Sequence, residues 1–414
     1  MSLSTELSGV QAAQTDIDTI GNNIANISTN GFKSSTAQFG DLYASSLAGA
    51  SSNGATPGQG VSTNSLAQLF TQGTISQTGN PLDVAINGNG FFQVQTASGL
   101  AYTRDGAFNL NSSGQLVTDS GALVLGYGAA AGGGAASGLL QPLTVAAGNI
   151  AAKATSALTI NVNLPAGDPL IDTAATPFSV NNPKSFDEST TASVYDSLGV
   201  SRALTTYFTQ VSGSGSPSKW QTHYQLTDAD GTFVASGAGP TLVFDSSGQL
   251  VSGSGAIAVA SLPDGAAPLN ITASFTGSTL SNLGFGVNSI SNDGNGSGQF
   301  TGVQIAANGQ VTGQYSNGMT RAFGTIALAD FPNPQGLVAM SNNLWLASVD
   351  SGQPASGVPG SAGLGQLESG AIEGSNVDLS AELVHLIAAQ QAYQANVQGI
   401  NVEQQNLQRL LTLQ

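Results

Sequence analysis

The sequence predicts a mainly β protein whose N- and C-terminal helices pair as a coiled coil, with β domains nested between them. Two observations predict this class: a helical pattern at each end of the chain, and a long Gly-, Ser- and Thr-rich region with strand-like alternation in between. Because the end helices meet, the segments beside them must also lie close together, so the domains are expected to be discontinuous.

The C-terminal segment Leu379–Gln414 repeats apolar residues at alternating intervals of four and three. Such a heptad is typical of a helix that buries one stripe against another helix. Asp378 is expected to cap this helix, or Asn376 if it begins a turn earlier. The predicted stripe contains Leu379, Leu383, Leu386, Gln390, Tyr393, Val397, Ile400, Gln404, Leu407 and Leu411.

The N-terminal segment 1–28 shows the second helical pattern, which Asn30-Gly31 ends. Its remaining positions are mostly small and uncharged, whereas a solvated helix face usually carries Lys, Glu and Arg. These small, uncharged positions predict a helix that is covered by other helices on several sides. The alternative is a lone amphipathic helix that folds back onto its own domain. The apolar positions are Leu3, Leu7, Val10, Ile17, Ile20, Ile24 and Ile27.

The region between the helices is expected to hold two β regions. Segment 34–68 has the small residues of a flexible or irregular connector, and Asn87–Gly90 is expected to be a hairpin turn before Phe91. The Gly- and Ala-rich run 126–138 is a plausible domain border. The predicted domains are a helical terminal domain (1–72 with 370–414), an inner β domain (73–150 with 300–369) and an inserted outer β domain (151–299).

Composition excludes several classes of function. The chain has 24 Asp and Glu against 8 Lys and Arg, a net charge of -16, which disfavours binding to nucleic acids. It has no cysteine, which excludes disulfides and thiolate sites. No apolar run is long enough for membrane insertion, and the N-terminus lacks the pattern of a cleaved signal peptide. If the protein is exported, we expect a route that keeps its N-terminus.

Residues for catalysis or metal binding are scarce. The two histidines, His223 and His385, fall in different predicted regions, and neither has a second ligand at metal spacing. The segment Asp228–Gly231 has two acidic positions of a calcium loop but no later ligands, so a hairpin turn is predicted. We therefore expect no catalytic residue, no metal, no cofactor and no enzymatic activity.

Motifs at both ends resemble the bacterial flagellar rod and hook family. Ile20–Asn26 (IGNNIAN) and Thr29–Lys33 (TNGFK) are similar to its N-terminal motif, and Glu373–Ser380 (EGSNVDLS) with Ala388–Asn396 (AAQQAYQAN) to its C-terminal motif. The family's inner β domain is matched by Gly88–Phe92 (GNGFF), Thr103–Phe108 (TRDGAF) and Gly114–Val117 (GQLV). The chain length and the large insert, with Val194–Gly199 and Thr205–Phe208, resemble hook-type members more than the shorter rod-type ones.

The resemblance implies a structural subunit that polymerises with itself into the short curved tube between rod and filament, which transmits motor torque as a universal joint. It further implies rod, hook-cap and hook–filament junction proteins as partners, the flagellar type III export apparatus as the exporter, and an extracellular location at the hook and basal body.

A distal rod subunit and an extracellular β-rich adhesin are the alternatives. The residues expected at the polymer interface are Leu3, Leu7, Val10, Ile17, Ile20, Asn22, Asn23, Ile24, Asn26, Ile27, Gly31, Phe32, Leu379, Leu383, Leu386, Tyr393, Val397, Ile400, Leu407 and Leu411.

Overall fold

The computed structural model describes residues 3–42, 58–129, 138–212 and 217–412, with side chains described for 4–42, 58–129, 138–212 and 217–409. It divides into two compact units. The first unit contains Met1–Ala147, Gly302–Gly313 and Arg321–Gln414, and the second contains Gly148–Thr301 and Gln314–Thr320. The second unit is thus inserted into the first. The predicted division into three domains stays a prediction.

Two helices, α1 (Leu3–Ala25) and α2 (Leu379–Thr412), lie at the two ends of the chain in the first unit. The helix predicted over 1–28 is therefore slightly shorter, and turns follow it up to Gly31, whose φ is +66°. Asp378 caps α2 as predicted, because its Oδ1 accepts bonds from the backbone N–H groups of Ser380 and Ala381 at 2.8 and 3.2 Å.

The largest sheet, most of whose residues belong to the first unit, is antiparallel along its central strands. Its central order is Phe300–Ile305, Gln310–Tyr315, Thr320–Ile326, Leu123–Gly128, Phe91–Thr96, Gly99–Thr103, Leu344–Leu346 and Val338–Met340. The strands Phe108–Leu110, Leu116–Thr118, Gln141–Pro142, Leu328–Asp330 and Ala355–Gly357 join its sides, and a short 3-10 turn covers Pro334–Gly336.

An aromatic core supports this sheet. Phe91 makes edge-to-face contacts with Phe70, Phe331 and Trp345, at ring-centroid distances of 5.7, 6.0 and 5.6 Å. Tyr102 packs against Phe331 in the same way at 4.7 Å. These rings come from segments far apart in sequence, so the core holds the residues around 70–102 against those around 331–345.

Three two-stranded sheets complete the first unit, and two of them correct the sequence predictions. Segment 34–68 is not wholly irregular: its ends form the antiparallel pair Ser35–Asp41 and Val61–Gln68, while 43–57 lie outside the described residues. The Asn87–Gly90 turn is present but does not close a hairpin. Val84–Asn87 pairs with Gln366–Ser369, whereas the strand after the turn belongs to the large sheet.

The third of these sheets joins the chain just before α2 to the early β region. Ile75–Gln77 pairs antiparallel with Ala371–Glu373. Most of the Gly- and Ala-rich border predicted over 126–138 lies outside the described residues, namely 130–137.

The second unit consists of two five-stranded sheets with one shared apolar core. One sheet contains Ser254–Val259, Leu269–Ser274, Ala157–Pro165, Thr279–Ser281 and Gly286–Asn292; the other contains Glu188–Tyr195, Ser201–Ser212, Ser218–Thr227, Phe233–Phe244 and Leu250–Ser252. Leu158, Ile160 and Val162 from the first sheet are buried with Phe208 and Trp220 from the second. Strict alternation of buried residues, as along Ala157–Pro165, explains why these strands were visible in the sequence.

One predicted turn is confirmed, and a second turn has the same type of hydrogen bond. Asp228–Gly231 closes the hairpin between Ser218–Thr227 and Phe233–Phe244, with Gly231 N–H donating to the Asp228 carbonyl at 2.9 Å. Asn308-Gly309 precedes the strand Gln310–Tyr315, and Gly309 N–H donates to the Ala306 carbonyl at 2.8 Å.

Candidate functional site

The two terminal helices pack against each other in antiparallel fashion. Near the start of α1, a Cβ added at Gly9 would lie 2.7 Å from the Asn396 side chain, and one added at Gly399 would lie 2.5 Å from the Glu6 carboxylate. Near its end, Asn23 donates to Glu382 at 3.0 Å. A larger side chain at either glycine would have to displace the Asn396 or Glu6 side chain, so each glycine provides the space that a side chain of the other helix occupies.

The α2 stripe that faces α1 differs from the predicted heptad by one column. Leu386, Tyr393 and Ile400 belong to both stripes. In the second column, Ala389 is buried where the heptad predicted Gln390, which is exposed, whereas Asn396 and the predicted Val397 are both half-buried. Small residues at the contact allow the close approach, whereas the predicted column of larger residues would hold the helices further apart. The less exposed residues of this stripe are Glu382, Leu386, Ala389, Tyr393, Asn396, Ile400 and Glu403.

A second apolar face of α2 is left uncovered by α1. Leu383, Val384 and Ile387 are 45%, 64% and 55% exposed, although all three are large apolar side chains. The helix also extends beyond the start of α1, and Leu407 is exposed in that extension. We call this face, made of Leu379, Leu383, Val384 and Ile387, the α2 outer face. Contiguous exposed apolar surface is typical of interaction sites, so this face is the candidate for a contact with another chain.

The structure separates the predicted interface residues into three groups. Ile20, Asn23 and Gly31 are buried within the chain. The half-buried residues are Val10, Ile17, Ile24, Asn26, Ile27, Phe32, Leu386, Tyr393, Val397 and Ile400. The exposed residues are Leu7, Asn22, Leu379, Leu383 and Leu407, whereas the side chains of Leu3 and Leu411 lie outside the described residues.

Two asparagines connect the helices to the neighbouring β segments. Asn23 Oδ1 accepts from the Ser35 N–H at 2.9 Å, and its amide donates to the Ser35 carbonyl at 2.8 Å. Asn376 does the same before α2: its Oδ1 accepts from the Ser34 N–H and its amide donates to the Leu69 carbonyl, both at 2.7 Å. An amide side chain suits this role because it both donates and accepts.

A buried charge cluster lies beside these asparagines. Glu373 Oε1 accepts from Lys33 Nζ at 2.6 Å, and Glu373 Oε2 accepts from an Arg104 terminal nitrogen at 3.0 Å. Lys33 also donates to the Thr71 carbonyl at 2.7 Å, and Arg104 to the Gly88 carbonyl at 2.8 Å. The cluster depends most on Glu373, because removing the shared carboxylate leaves buried cations uncompensated at a cost of about 3–5 kcal/mol.

Burial governs the ionisation of this cluster. It lowers the pKa of the Lys33 ammonium, and the Glu373 carboxylate partly opposes the shift. It also lowers the pKa of the Arg104 guanidinium, which Glu373 and Asp330 oppose. The two cations remain paired with the one carboxylate because no water competes for these groups: the Lys33 and Glu373 side chains are fully buried.

Sequence reasoning identified the motifs that contain Lys33, Arg104 and Glu373 but did not select these residues. A signal for them was present. Lysine and arginine together occur only 8 times in the chain, and two of these residues fall inside the recognised motifs. A lysine or arginine in such a charge-poor sequence is expected to pair with a carboxylate. A single sequence does not show, however, that the partner of Lys33 is Glu373, which lies 340 positions away.

The residues considered for catalysis do not form a site. The His223 ring stacks on Phe178 at 4.1 Å, and burial lowers its pKa, while His385 is exposed on α2. Within the ranges that the structure describes, no group of three or more acidic or histidine side chains is placed to hold a metal ion. Neither helix, over its described residues, is long and apolar enough to cross a membrane.

Family models match four stretches of the chain. They are described as flagella basal body rod protein (residues 3–33), flagellar hook protein FlgE/F/G D1 domain (85–182), flagellar basal body protein FlaE D2 domain (163–295) and flagellar basal body rod FlgEFG protein C-terminal (368–413). The flagellar hook protein FlgE of Escherichia coli K12 is 38% identical over the full length of both chains. The chain belongs to the flagellar hook protein FlgE family.

Other hook proteins are similar over the same span. The FlgE proteins of Salmonella typhimurium and Borreliella burgdorferi are 37% and 31% identical, each over 100% of this chain and 100% and 99% of their own. The crystal structure of Helicobacter pylori flagellar hook protein FlgE2 resembles the fold with a TM-score of 0.56 at 15% identity, covering 71% of this chain and 99% of that one. The predicted class, mainly β with paired terminal helices, is confirmed.

The buried charge cluster lies where three of the hook-family segments meet. Lys33 closes the N-terminal match (3–33), Arg104 lies in the D1 match (85–182), and Glu373 lies in the C-terminal match (368–413). In this hook-family chain the cluster therefore connects both terminal segments with the inner β region of the first unit.

Proposed function

We propose that this chain is the structural subunit of the bacterial flagellar hook and that it polymerises with copies of itself through its terminal helices. Membership of the hook protein family supports a location in the hook. The exposed α2 outer face is the observation from which we propose how one copy binds the next. That face is apolar, exposed and adjacent to the helix pair, so a neighbouring copy would remove it from water. The predicted interface residues on both helices remain part of this proposal.

The energetics favour apolar contacts over charges as the source of assembly. Each large apolar side chain that becomes fully buried contributes about 1.5–3 kcal/mol. Long-range electrostatics act in the opposite direction, since each copy carries a net charge of -16. The helices themselves carry few charges, which keeps this repulsion away from the contact.

Finer points of the proposal follow from the family. The assembled tube would be curved, would join the rod to the filament and would transmit motor torque as a universal joint, outside the cell. Rod proteins, the hook cap and the hook–filament junction proteins would be its neighbours, and the flagellar type III apparatus its exporter. In the proposed three-domain arrangement, the helical domain would lie innermost and the inserted β domain (151–299) outermost.

The alternatives are not favoured. A distal rod subunit and an extracellular adhesin both fail to account for full-length similarity to hook proteins. The relatives are structural proteins of the hook and not enzymes, which agrees with the expectation of a structural role.

Sedimentation of an outer-face variant tests the proposal. Ile387→Asp places a charge on the α2 outer face without touching the stripe that faces α1, so we expect a folded chain that remains monomeric where the wild type forms large assemblies. Val251→Asp is the matched control, because Val251 is 67% exposed but lies in the second unit. Wild-type assembly by Ile387→Asp would rule out the outer face as the contact between copies.

A further inference from the structure

Asparagine followed by glycine is a pair that loses the asparagine side-chain nitrogen spontaneously, because glycine has no Cβ to hinder attack by its own nitrogen. The chain has seven such pairs. Asn53-Gly54 lies outside the described residues, and the other pairs begin at Asn30, Asn87, Asn89, Asn295, Asn308 and Asn317. The structure differs from pair to pair in how tightly it holds the two groups that react.

The reaction needs a free glycine nitrogen and a mobile asparagine side chain. The deprotonated nitrogen attacks the asparagine Cγ, a C–N bond forms, and the side-chain nitrogen takes up the proton and leaves as ammonia. Water then opens the cyclic imide at either of its carbonyls, which gives aspartate or isoaspartate. A glycine N–H or a side-chain amide that is already hydrogen-bonded must first give up that bond, so the pair reacts more slowly.

Asn308-Gly309 is held at both groups. The Gly309 N–H donates to the Ala306 carbonyl at 2.8 Å, and Asn308 Oδ1 accepts from the Gln310 N–H at 3.1 Å. Asn317-Gly318 is held in the same way, because its glycine N–H donates to one backbone carbonyl at 2.9 Å and its asparagine amide to another at 2.7 Å. These two pairs are therefore protected.

A second set of pairs is held at one of the two groups. After Asn87, the Gly88 N–H donates to Gln72 Oε1 at 3.1 Å. After Asn30, the glycine N–H donates to a backbone carbonyl at 2.8 Å. The Asn295 side-chain amide donates to backbone carbonyls at 3.2 and 2.9 Å. Each of these pairs has to break a hydrogen bond before it reacts.

Asn89-Gly90 is held at neither group. Among the described residues, the Gly90 N–H has no acceptor and the Asn89 side chain has no hydrogen-bond partner. The Asn89 side chain is also exposed, so water reaches it. Closing the cyclic imide at this pair therefore breaks no hydrogen bond within the protein.

We propose that Asn89 is a site of spontaneous covalent modification, at which aspartate or isoaspartate replaces the asparagine. Isoaspartate adds a carbon to the main chain in the turn before Phe91. The Asn89 carbonyl accepts from the Gly365 N–H at 2.8 Å, beside the paired strands Val84–Asn87 and Gln366–Ser369. The modification thus acts on a contact between distant segments of the first unit, and it requires neither the terminal helices nor assembly.

Peptide mapping by mass spectrometry of the full chain, incubated at mildly alkaline pH, tests the proposal. We expect deamidation at Asn89 to be at least about tenfold faster than at Asn308 and Asn317, because each of these must first lose two hydrogen bonds. In concentrated urea the three rates should become similar, since the protecting bonds are gone. Equal rates in the folded chain, or a preference for Asn89 that persists in urea, would overturn the proposal.

Gln72→Ala tests the role of the glycine N–H directly. The substitution removes the acceptor of the Gly88 N–H, so deamidation at Asn87 should rise at least about threefold while that at Asn308 stays unchanged. Asn89→Gln is the control for the assignment, because the longer side chain closes a ring far more slowly and the signal at position 89 should disappear. An unchanged rate at Asn87 in Gln72→Ala would contradict protection by this hydrogen bond and overturn the proposal.

Discussion

At the scale of single residues, Gly31 shows how closely the loop after α1 approaches the large sheet. Its φ is +66°, and a Cβ there would lie 2.6 Å from the Asp105 nitrogen and 2.7 Å from the Arg104 carbonyl carbon. Both neighbours are backbone atoms and have little freedom to move away. Glycine is therefore required here by conformation and by space together.

Alanine substitutions at two glycines, Gly31 and Gly21, should change the free energy of unfolding in opposite directions. Gly31→Ala combines a strained φ with a backbone clash, so we expect it to lower the free energy of unfolding by at least about 2 kcal/mol. Gly21→Ala is the control: nothing lies within 4 Å of a Cβ there, and an alanine in the helix should stabilise by about 0.5–1 kcal/mol. Chemical unfolding monitored by the helical circular dichroism signal compares the two. Equal effects would contradict the account of this loop.

Asp105 gives the first unit a pH dependence of defined sign. Burial, reinforced by the charges of Asp119 and Asp83 and opposed by the bond from the Ala107 N–H, raises its pKa to about 6. Because the folded state holds this proton more tightly than the unfolded state does, stability is lost as the pH rises from about 4 to about 6. The charged carboxylate then remains a penalty at neutral pH.

Removing the charge should reverse that penalty. We expect Asp105→Asn, whose amide oxygen can still accept from the Ala107 N–H, to be more stable than the wild type by about 1–3 kcal/mol at pH 7 and equal to it near pH 4. Unfolding free energies of both proteins across this range provide the measurement. If the unfolding free energies of the two proteins differed by the same amount at every pH, Asp105 would not titrate in this way.

At the scale of elements, the helix ends and most strands could be predicted, and the contacts between them less well. Asp378 and Asn30-Gly31 mark helix ends by local chemistry, and alternation marks strands such as Ala157–Pro165, because these signals lie within a few residues. The pair Ser35–Asp41 and Val61–Gln68 was missed, since few of its residues are buried and its partner strands lie far apart.

The sequence predicted that the two terminal helices would pair, but it did not predict correctly which face of α2 contacts α1. The heptad of large apolar residues indicated which stripe α2 would bury, yet the contact with α1 uses Ala389 and Gly399. Helices that pack closely need small side chains at the contact. A periodic pattern of large apolar residues does not show where such small residues lie. The cluster around Glu373 was missed for a different reason: pairing between residues 340 positions apart leaves no mark in a single sequence.

Two adjacent alanines test the observed helix register. Ala389 is 5% exposed and faces α1, so Ala389→Leu should push the helices apart and lower stability by about 1–3 kcal/mol. Ala388, one position earlier, is exposed, and Ala388→Leu should leave stability nearly unchanged. Thermal unfolding of the two variants compares them directly. A larger loss for Ala388→Leu would mean that α2 is rotated relative to the register described.

At the scale of the whole molecule, the two ends of the chain carry the proposed assembly. The paired helices leave the α2 outer face open, and the cluster around Glu373 connects them to the β region of the first unit. The second unit has its own apolar core. We therefore expect changes on the outer face of α2 to affect polymerisation while the β units keep their folds.

Electron microscopy of the purified full chain tests the central claim most directly, namely that this hook-family subunit assembles through its terminal helices. We predict curved tubes for the wild type and for Val251→Asp, and single particles for Ile387→Asp. Curved tubes formed equally well by Ile387→Asp would contradict assembly through the α2 outer face. Straight, rigid tubes formed by the wild type would contradict the proposal that the chain is a hook subunit.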